Sequence, residues 1–425
     1  MRRALIRRSG LNRNLRFALL VLIIALLIDT LSLLSYHHQR VHRAILSIPQ
    51  PPPQRIYITS THWNNERILR SHWNTALLKL VQHFGPSNLY ISIYESGSWD
   101  NTKGALRELD TQLEDAGVPR KIVLDPTSHK DELTNPPEGE TQGWLTLPDH
   151  PQRKRELRRI PYLARLRNLA LNPLIQLLHN EEANDTKEPE KAPLRFDKIL
   201  FLNDVVFTTD DILTLLSTNG GDYAAACALD FAHPPAYYDT FALRDSRGHE
   251  AASNTFPFFR SRASRAAILA GEPVPVQSCW NGAVVMDAAP FYEEGGGLRF
   301  RGVDDSLAMR HVEGSECCLV HKDNPLSGTR GVWVNPAVRV GYSGEAYDAV
   351  HHAEEMGWPG FWKGWWGVWK NRGGRLFWGV WWKERRVRRR VEAWKREKPG
   401  EREEKGVGCL INEMQVLRDN GWAHV

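Results

Sequence analysis

Residues 17–35, FALLVLIIALLIDTLSLLS, hold a single charge, Asp29, in nineteen positions, and Arg2, Arg3, Arg7, Arg8, Arg13 and Arg16 precede them. A helix rising about 1.5 Å per residue is long enough over this stretch to cross a hydrocarbon layer of ~30 Å. A segment of this kind constrains the chain more than any average does, because it commits one stretch to lipid and places everything after it on one side. The rival is a cleaved signal peptide, but its apolar core usually runs to about 7–15 residues, and no small-x-small cleavage site follows here. We therefore expect a cytoplasmic tail over 1–16 and a single N-terminal transmembrane helix over 17–36. With the arginines on its N-terminal side, the orientation is type II and the remainder of the chain is lumenal.

The 425 residues are 42% hydrophobic and 25% charged, enough for a large folded core. The net charge of +5 is concentrated in the N-terminal arginines and in a second basic block between Lys383 and Lys405. That leaves the middle nearly neutral and argues against nucleic acid as a partner. Asn184-Asp185-Thr186 fits the N-glycosylation pattern, which has meaning only in a lumen. Cys227, Cys279, Cys317, Cys318 and Cys409 lack the spacing of a zinc site, their odd number forbids complete pairing, and no disulfide framework can be read from them.

PQPPPQ, Pro49 to Gln54, favours an extended conformation and reads as the end of a stem over 37–54. RIYITS, NLYISIY and KIVL are short β-rich runs, and Glu66 to Phe84 and Lys103 to Ala116 carry apolar residues at helical spacing. Strand and helix thus alternate, predicting an α/β fold with parallel strands. Asp125 to Pro151 reads as a loop, RKRELRRIPYLARLRNLALNPL as a basic helix, and 180–193 as a polar linker. KILFL, YAAACALDF, GAVVMD and CCLVH are further strand candidates, each beside a polar or acidic residue. In open α/β sheets, ligands bind beyond the carboxyl ends of strands, so chemistry is expected at these positions. Nine of the sixteen tryptophans fall between Trp358 and Trp394, mixed with glycine and followed by arginine and lysine. Such a composition suits a membrane interface or a partner surface, and also an insertion of poorly defined structure over 351–406. A C-terminal helix is expected over 407–425.

Asp204 closes the buried run KILFLND. Most such residues cap helices, but Thr208 to Asp211 supply caps of their own, leaving this carboxylate available for a hard cation that also takes diphosphate oxygens. Asn281-Gly282 reads as a tight turn of a hairpin, or as a glycine where backbone approaches a sugar beside the flat face of Trp280. Asp304-Asp305 opens a helical pattern; one carboxylate serves as N-cap and the other is free to accept a hydroxyl proton. His321 ends an apolar run and is either structural or a ligand.

FLNDVVF, SCWNGAVVMDAAPF and RFRGVDDSLAMRHVEGSECCLVHKD, with SIYESGSWD, RIPYLARLRNLAL, ACALDF, YYDTFALRD and GVWVNPAVRVGY, together resemble the fungal capsule-associated α-1,3-mannosyltransferases, glycosyltransferase family 69, over most of 55–350. The resemblance implies a Golgi type II enzyme that uses GDP-mannose. It also implies a GT-A type fold, a Rossmann-like nucleotide half joined to an acceptor half. FLNDVV is similar to the GT-A metal motif, with Asp204 as the aspartate that touches Mn²⁺ or Mg²⁺, Leu202 replacing the usual first aspartate, and Asn203 left with a second role. Asn281-Gly282 is similar to the glycine loop at the donor sugar, Val303 to Asp305 to the acidic acceptor motif, and His321 to the late histidine of the metal shell. In this reading Asp305, with Asp304, orients the acceptor hydroxyl. Arg159 or Arg167 adds charge at the phosphates, Glu95 and Asp100 lie where base or ribose would bind, and Asp230 and Asp239 contact sugar hydroxyls. The acceptor is a mannose-containing glycan, and transfer from an α-linked donor to an α-product retains configuration. The alternatives are a transferase for another nucleotide sugar and a non-catalytic Golgi glycosylation partner. The tryptophan-rich stretch has no counterpart in the family.

Overall fold

The computed structural model describes residues 13–43, 54–135, 141–146, 155–184, 195–293, 296–351, 358–376 and 379–425. The arginines before Arg13, most of the proline stem and the Asp185-Thr186 part of the glycosylation triplet lie outside them. Helix α1 (Arg13–Arg43) contains the apolar run; among the described residues it alone is long and apolar enough to cross a membrane.

The strands are β1 (Ile56–His62), β2 (Leu89–Ser96), β3 (Arg120–Asp125), β4 (Lys198–Leu202), β5 (Ala225–Phe231), β6 (Arg244–Asp245), β7 (Val274–Ser278), β8 (Ala283–Asp287) and β9 (Val332–Gly341). They form one nine-stranded sheet in the order β3-β2-β1-β4-β8-β5-β9-β7-β6. β1 pairs in parallel with β2 and β4, β2 with β3, and β5 with β9, whereas β8 runs antiparallel between β4 and β5. β7 runs antiparallel to both β9 and the two-residue β6, so seven strands point the same way and bring their carboxyl ends to one edge, with β7 and β8 opposed.

Alternation along the strands explains why both faces are covered. In β1, Ile56 and Ile58 join one core cluster with Leu77 of α2 (Asn74–Phe84) and Leu106 of α3 (Thr102–Asp115), while Tyr57 joins the opposite cluster. In β4, Leu200 and Leu202 face the first cluster, and Ile199 and Phe201 the second. The second cluster is closed by Leu171 and Leu174 of α4 (Arg159–Asn184). Strands apolar on both faces require helices on both sides, which is why they read as unbroken apolar runs.

Several expectations need correction. α4 begins at Arg159, because Glu156–Leu157 instead pairs with Trp144–Leu145 as a small two-stranded sheet. The stretch after Asp125 contains a short helix, His129–Thr134, opened by a Ser128–Asp131 capping box. CCLVH is a buried helical turn of α6 (Glu316–Asp323), the alternative that a five-residue apolar run always leaves open. The tryptophan-rich stretch is no loose insertion: it forms α7 (Phe361–Leu376) and α8 (Gly379–Glu397), and Val387, Val391 and Trp394 are buried against Leu307 and Leu319. The C-terminal segment is not a helix, for Gln415–Arg418 and Gly421–His424 form a hairpin closed by two residues, Asp419-Asn420.

Two disulfides form. Cys227–Cys279 ties β5 to the chain just after β7, and Cys318–Cys409 ties α6 to the C-terminal segment; Cys317 remains a buried thiol.

Candidate active site

The parallel strand ends open into a cleft of about 710 Å³ lined by His62, Asn65, Arg159, Arg167, Asn203, Asp204, Tyr238, Asp239, Trp280, Glu316 and Tyr342 among others. The site is built outward from Asn203-Asp204, where β4 ends. Asn203 N–H donates to the Gly282 carbonyl at 2.8 Å, its own carbonyl accepts Trp73 Nε1 at 3.0 Å, and its Oδ1 accepts Trp280 Nε1 at 3.1 Å. Held on three sides, Asn203 fixes the direction in which the next side chain leaves the sheet. Thr208 and Asp211 form the capping box of the following helix, α5 (Thr209–Leu216), without help, so Asp204 has no capping task.

Asp204 Oδ2 accepts the Asn65 Nδ2 amide at 2.8 Å, and among the described residues no lysine, arginine or histidine forms an ion pair with it. Its recess withdraws it from bulk water, and this burial pushes the carboxyl up to about 6. An acid held away from water with only the Asn65 amide and its own backbone N–H as donors is poorly compensated when ionised. That condition suits a divalent cation, which takes one or two carboxylates and draws its remaining oxygens from water and a diphosphate.

The opposite chemistry comes from α4. Arg167 Nε bonds Glu316 Oε1 at 3.1 Å, and its guanidinium lies 4.5 Å from the centre of the Trp280 ring. Arg159 bonds Gln415 Oε1 at 2.6 Å and stacks 4.4 Å over Trp422 of the C-terminal hairpin. Two planar cations thus face the cleft, each steadied by an aromatic ring and a polar partner.

Asp230 and Asp239 are linked, Asp239 N–H donating to Asp230 Oδ1 at 3.2 Å. Asn281 Nδ2 donates to the same oxygen at 2.9 Å and Tyr342 OH to Oδ2 at 3.1 Å. Burial, with the Asp239 charge added, pushes the Asp230 carboxyl up to about 7. Asp230 is sealed behind the wall, whereas Asp239 lines the cleft with its Oδ1 fixed by the Phe241 and Ala242 amides, both at 3.0 Å. Asn281-Gly282 is not a hairpin turn, because β7 and β8 are not neighbours in the sheet. Asn281 has φ +43° and Gly282 φ +82°, and a Cβ on Gly282 would stand 2.7 Å from Val340 Cγ2 and 3.2 Å from Asp230 Cβ. The glycine is required by the close passage of β5 and β9, and the pair acts on the site by holding Asp230 and Asn203.

Other expected site residues lie elsewhere. His321 is fully buried on α6, its Nε2 2.6 Å from the Cys279 carbonyl, and does not line the cleft; burial lowers its pKa to about 4. It stands beside Cys227 and Cys279, the single group among the described residues spaced to share an ion, but those sulfurs are joined to each other. The helical run buries this ring at the Cys279 carbonyl, outside the cleft that Asp204 lines. Asp304 is the N-cap of a short helix, accepting Ser306 N–H at 2.8 Å. Asp305 is neutralised by Arg158 at 2.6 Å and receives the Gly143 amide. Arg158, fully buried, also pairs with Glu313 at 2.7 Å, so the spare carboxylate belongs to a structural ion cluster off the cleft. Glu95 pairs with Lys103 at 2.8 Å and caps Ser98 N–H, and Asp100 accepts the Glu66 and Thr102 amides; both complete turns and neither lines the cleft. The sequence reading did not single out Asn65, Glu316, Tyr342, Gln415 or Trp422 as site residues, although Glu316 and Tyr342 lie within stretches that carry the family resemblance.

Residues 55–323 match the family described as cryptococcal mannosyltransferase 1. No curated protein sequence matches the chain. Among solved structures it is similar to the mannosyltransferase PcManGT from Pyrobaculum calidifontis in complex with GDP-Man and Mn2+, at 12% identity over 78% of this chain and 72% of that chain, with a TM-score of 0.35. It is also similar to TarS from S. aureus, at 10% identity over 71% of this chain and 63% of that one, with a TM-score of 0.32. Scores this low carry no weight for substrate or metal. The family match runs from β1 through α6 and takes in more than half of the chain: the chain belongs to the capsule-associated cryptococcal mannosyltransferase 1 family and is a glycosyltransferase.

Proposed function

We propose that the chain transfers mannose from GDP-mannose to a hydroxyl of a mannose-containing glycan, forming an α-1,3 linkage with retention, as a metal-dependent type II enzyme of the Golgi membrane with its cleft in the lumen. The observation that carries this reading is the placement of Asp204. It is an acid at the carboxyl end of a buried strand, in a cleft that also presents Arg159 and Arg167, and no cation among the described residues forms an ion pair with it. The residues fit a divalent ion, Mn²⁺ or Mg²⁺, held by Asp204 alone on the protein side. When bound, such an ion supplies Lewis-acid stabilisation of the leaving diphosphate.

The chain's own residues do the rest. Arg167 and Arg159 meet the negative charge that builds on the departing nucleoside diphosphate, and their aromatic and polar supports remove the need to reorganise during transfer. Asp239, fixed by two amides, receives a sugar hydroxyl in place of Asp305, which the Arg158 cluster keeps occupied. Trp280 is buried in the cleft wall with its ring face under Arg167, so it supports that cation and Asn203 and offers no open face to a sugar.

Full-length enzyme is assayed against GDP-mannose, UDP-xylose and UDP-glucose, with and without EDTA, alongside Asp204→Ala. Transfer from GDP-mannose alone, abolished by chelation and by the substitution, is expected. Equal activity with a uridine donor would replace the donor assignment, and full activity in EDTA would remove the metal.

A further inference from the structure

Helix α7 has two unlike faces. Gly364, Gly367 and Gly374 lie against neighbours so closely that a Cβ on Gly367 would stand 2.0 Å from the Phe256 carbonyl oxygen and one on Gly374 2.5 Å from that of Ala252. Asn371, on the same side, is 1% exposed and donates to the Phe259 carbonyl at 3.1 Å. The other face presents Trp362 and Trp366, 76% and 69% exposed, with Lys363 and Lys370 beside them. Spacings of one, four and eight residues from Trp362 put all four on one side of a helix. A helix seated this tightly by three glycines and an asparagine leaves Trp362 and Trp366 outside, while Trp365 and Trp369 are half-buried on its inner side.

The same helix holds α1. Leu33 is fully buried, although Leu31 and Leu34 on either side are 64% and 51% exposed, and a Cβ on Gly364 would touch its Cδ2 at 3.4 Å. Asp29, the single charge between Phe17 and Ser35, is met by Arg372 in a two-point pair, Nη1 to Oδ2 at 2.7 Å and Nη2 to Oδ1 at 2.8 Å. A carboxylate within a membrane span is expected to be paired, and here the partner comes from the tryptophan-bearing helix. Asp29 is six residues before Ser35, about 9 Å along the axis at 1.5 Å per residue, which is the depth an interfacial helix reaches.

We propose that the Trp362 and Trp366 face of α7 lies in the bilayer interface beside α1, on the side of the membrane that holds the folded domain, so that the domain rests on lipid instead of hanging from a free stem. The inference depends on α1 being a membrane span. Whatever surrounds α1 at the level of Asp29 and Leu33 also meets the helix packed on those residues, and this continuity selects lipid over a protein partner. Tryptophan and lysine together are the residues that settle at the headgroup level.

The test uses full-length chain reconstituted in phosphatidylcholine vesicles, with an environment-sensitive fluorophore on Trp366→Cys and quenching read from lipid carrying an acyl-chain nitroxide. Labelling is selective because four native cysteines are paired and Cys317 is buried. Leu22→Cys, in the middle of the span, and Glu108→Cys, on the exposed side of α3, are labelled in parallel. The expected result is loss of fluorescence at positions 366 and 22 and none at 108. Quenching at 22 without quenching at 366 overturns the proposal and leaves the span intact, pointing to water or a protein over the tryptophans. Absence of quenching at 22 removes the span and the proposal with it.

Discussion

Replacing Asp204 with asparagine keeps the side-chain shape and the oxygen that accepts the Asn65 amide, and removes only the charge. Burial raises this carboxyl from 3.8 to about 6, the residue's own amide and Asn65 opposing it only in part. For an acid whose pKa rises on folding, the ionised form is less stable folded than unfolded. The cost is absent below 3.8, grows as the pH climbs, and is complete above about 6. The difference of about two pH units, at 1.36 kcal/mol each, sets a ceiling of about 3 kcal/mol, and partial contact with the open cleft reduces it to ~1–2 kcal/mol. In EDTA at neutral pH, Asp204→Asn should therefore unfold about 1–3 °C above the parent chain, with the gap closing as the pH falls toward 4. With Mn²⁺ the order should reverse, because only the parent gains stability by mass action, while transfer activity is lost in the variant at every pH. Thermal unfolding across pH, with and without Mn²⁺, reads all of this. A variant less stable than the parent by the same margin at pH 7.5 and pH 4.5, in EDTA, would refute the reasoning and make the carboxylate a structural acceptor.

Binding a cation at Asp204 requires the ionised acid, so the Mn²⁺ dissociation constant should be flat above pH about 6 and rise roughly tenfold per unit below it, measured calorimetrically with GDP present. Arg167→Ala removes a charged donor and should cost roughly 10–100-fold in kcat/KM for GDP-mannose, while truncation of an arginine outside the cleft, such as Arg107, should not. His321→Ala should destabilise the fold by roughly 2–4 kcal/mol, since it opens a cavity and strands the Cys279 carbonyl, yet leave the Mn²⁺ affinity of the folded fraction unchanged.

The sheet was legible because its strands are apolar on both faces and separated by helices with clear periodicity, as Ile56 to His62 and Asn74 to Phe84 show. Asp204 was legible for a related reason: the caps at Thr208 and Asp211 left it without a local task. Where a side chain's role depends on what the tertiary fold places next to it, the pattern was silent. Asp305 looked spare until Arg158 arrived from the far side of a 147-residue separation, and Glu95 looked like a ligand until Lys103 closed the turn. His321 failed through element type, since five apolar residues carry no period long enough to separate strand from buried helix. α7 was obscured by its glycines, which weaken a helix in isolation and here mark where it meets the backbone of Phe256 and Ala252.

The most direct test of a divalent ion shared between Asp204 and a nucleotide diphosphate is calorimetric titration of GDP into EDTA-stripped full-length chain, with and without Mn²⁺, for the parent and for Asp204→Ala. The account predicts that Mn²⁺ markedly tightens GDP binding to the parent and does nothing for the variant. Equal tightening in both would contradict it.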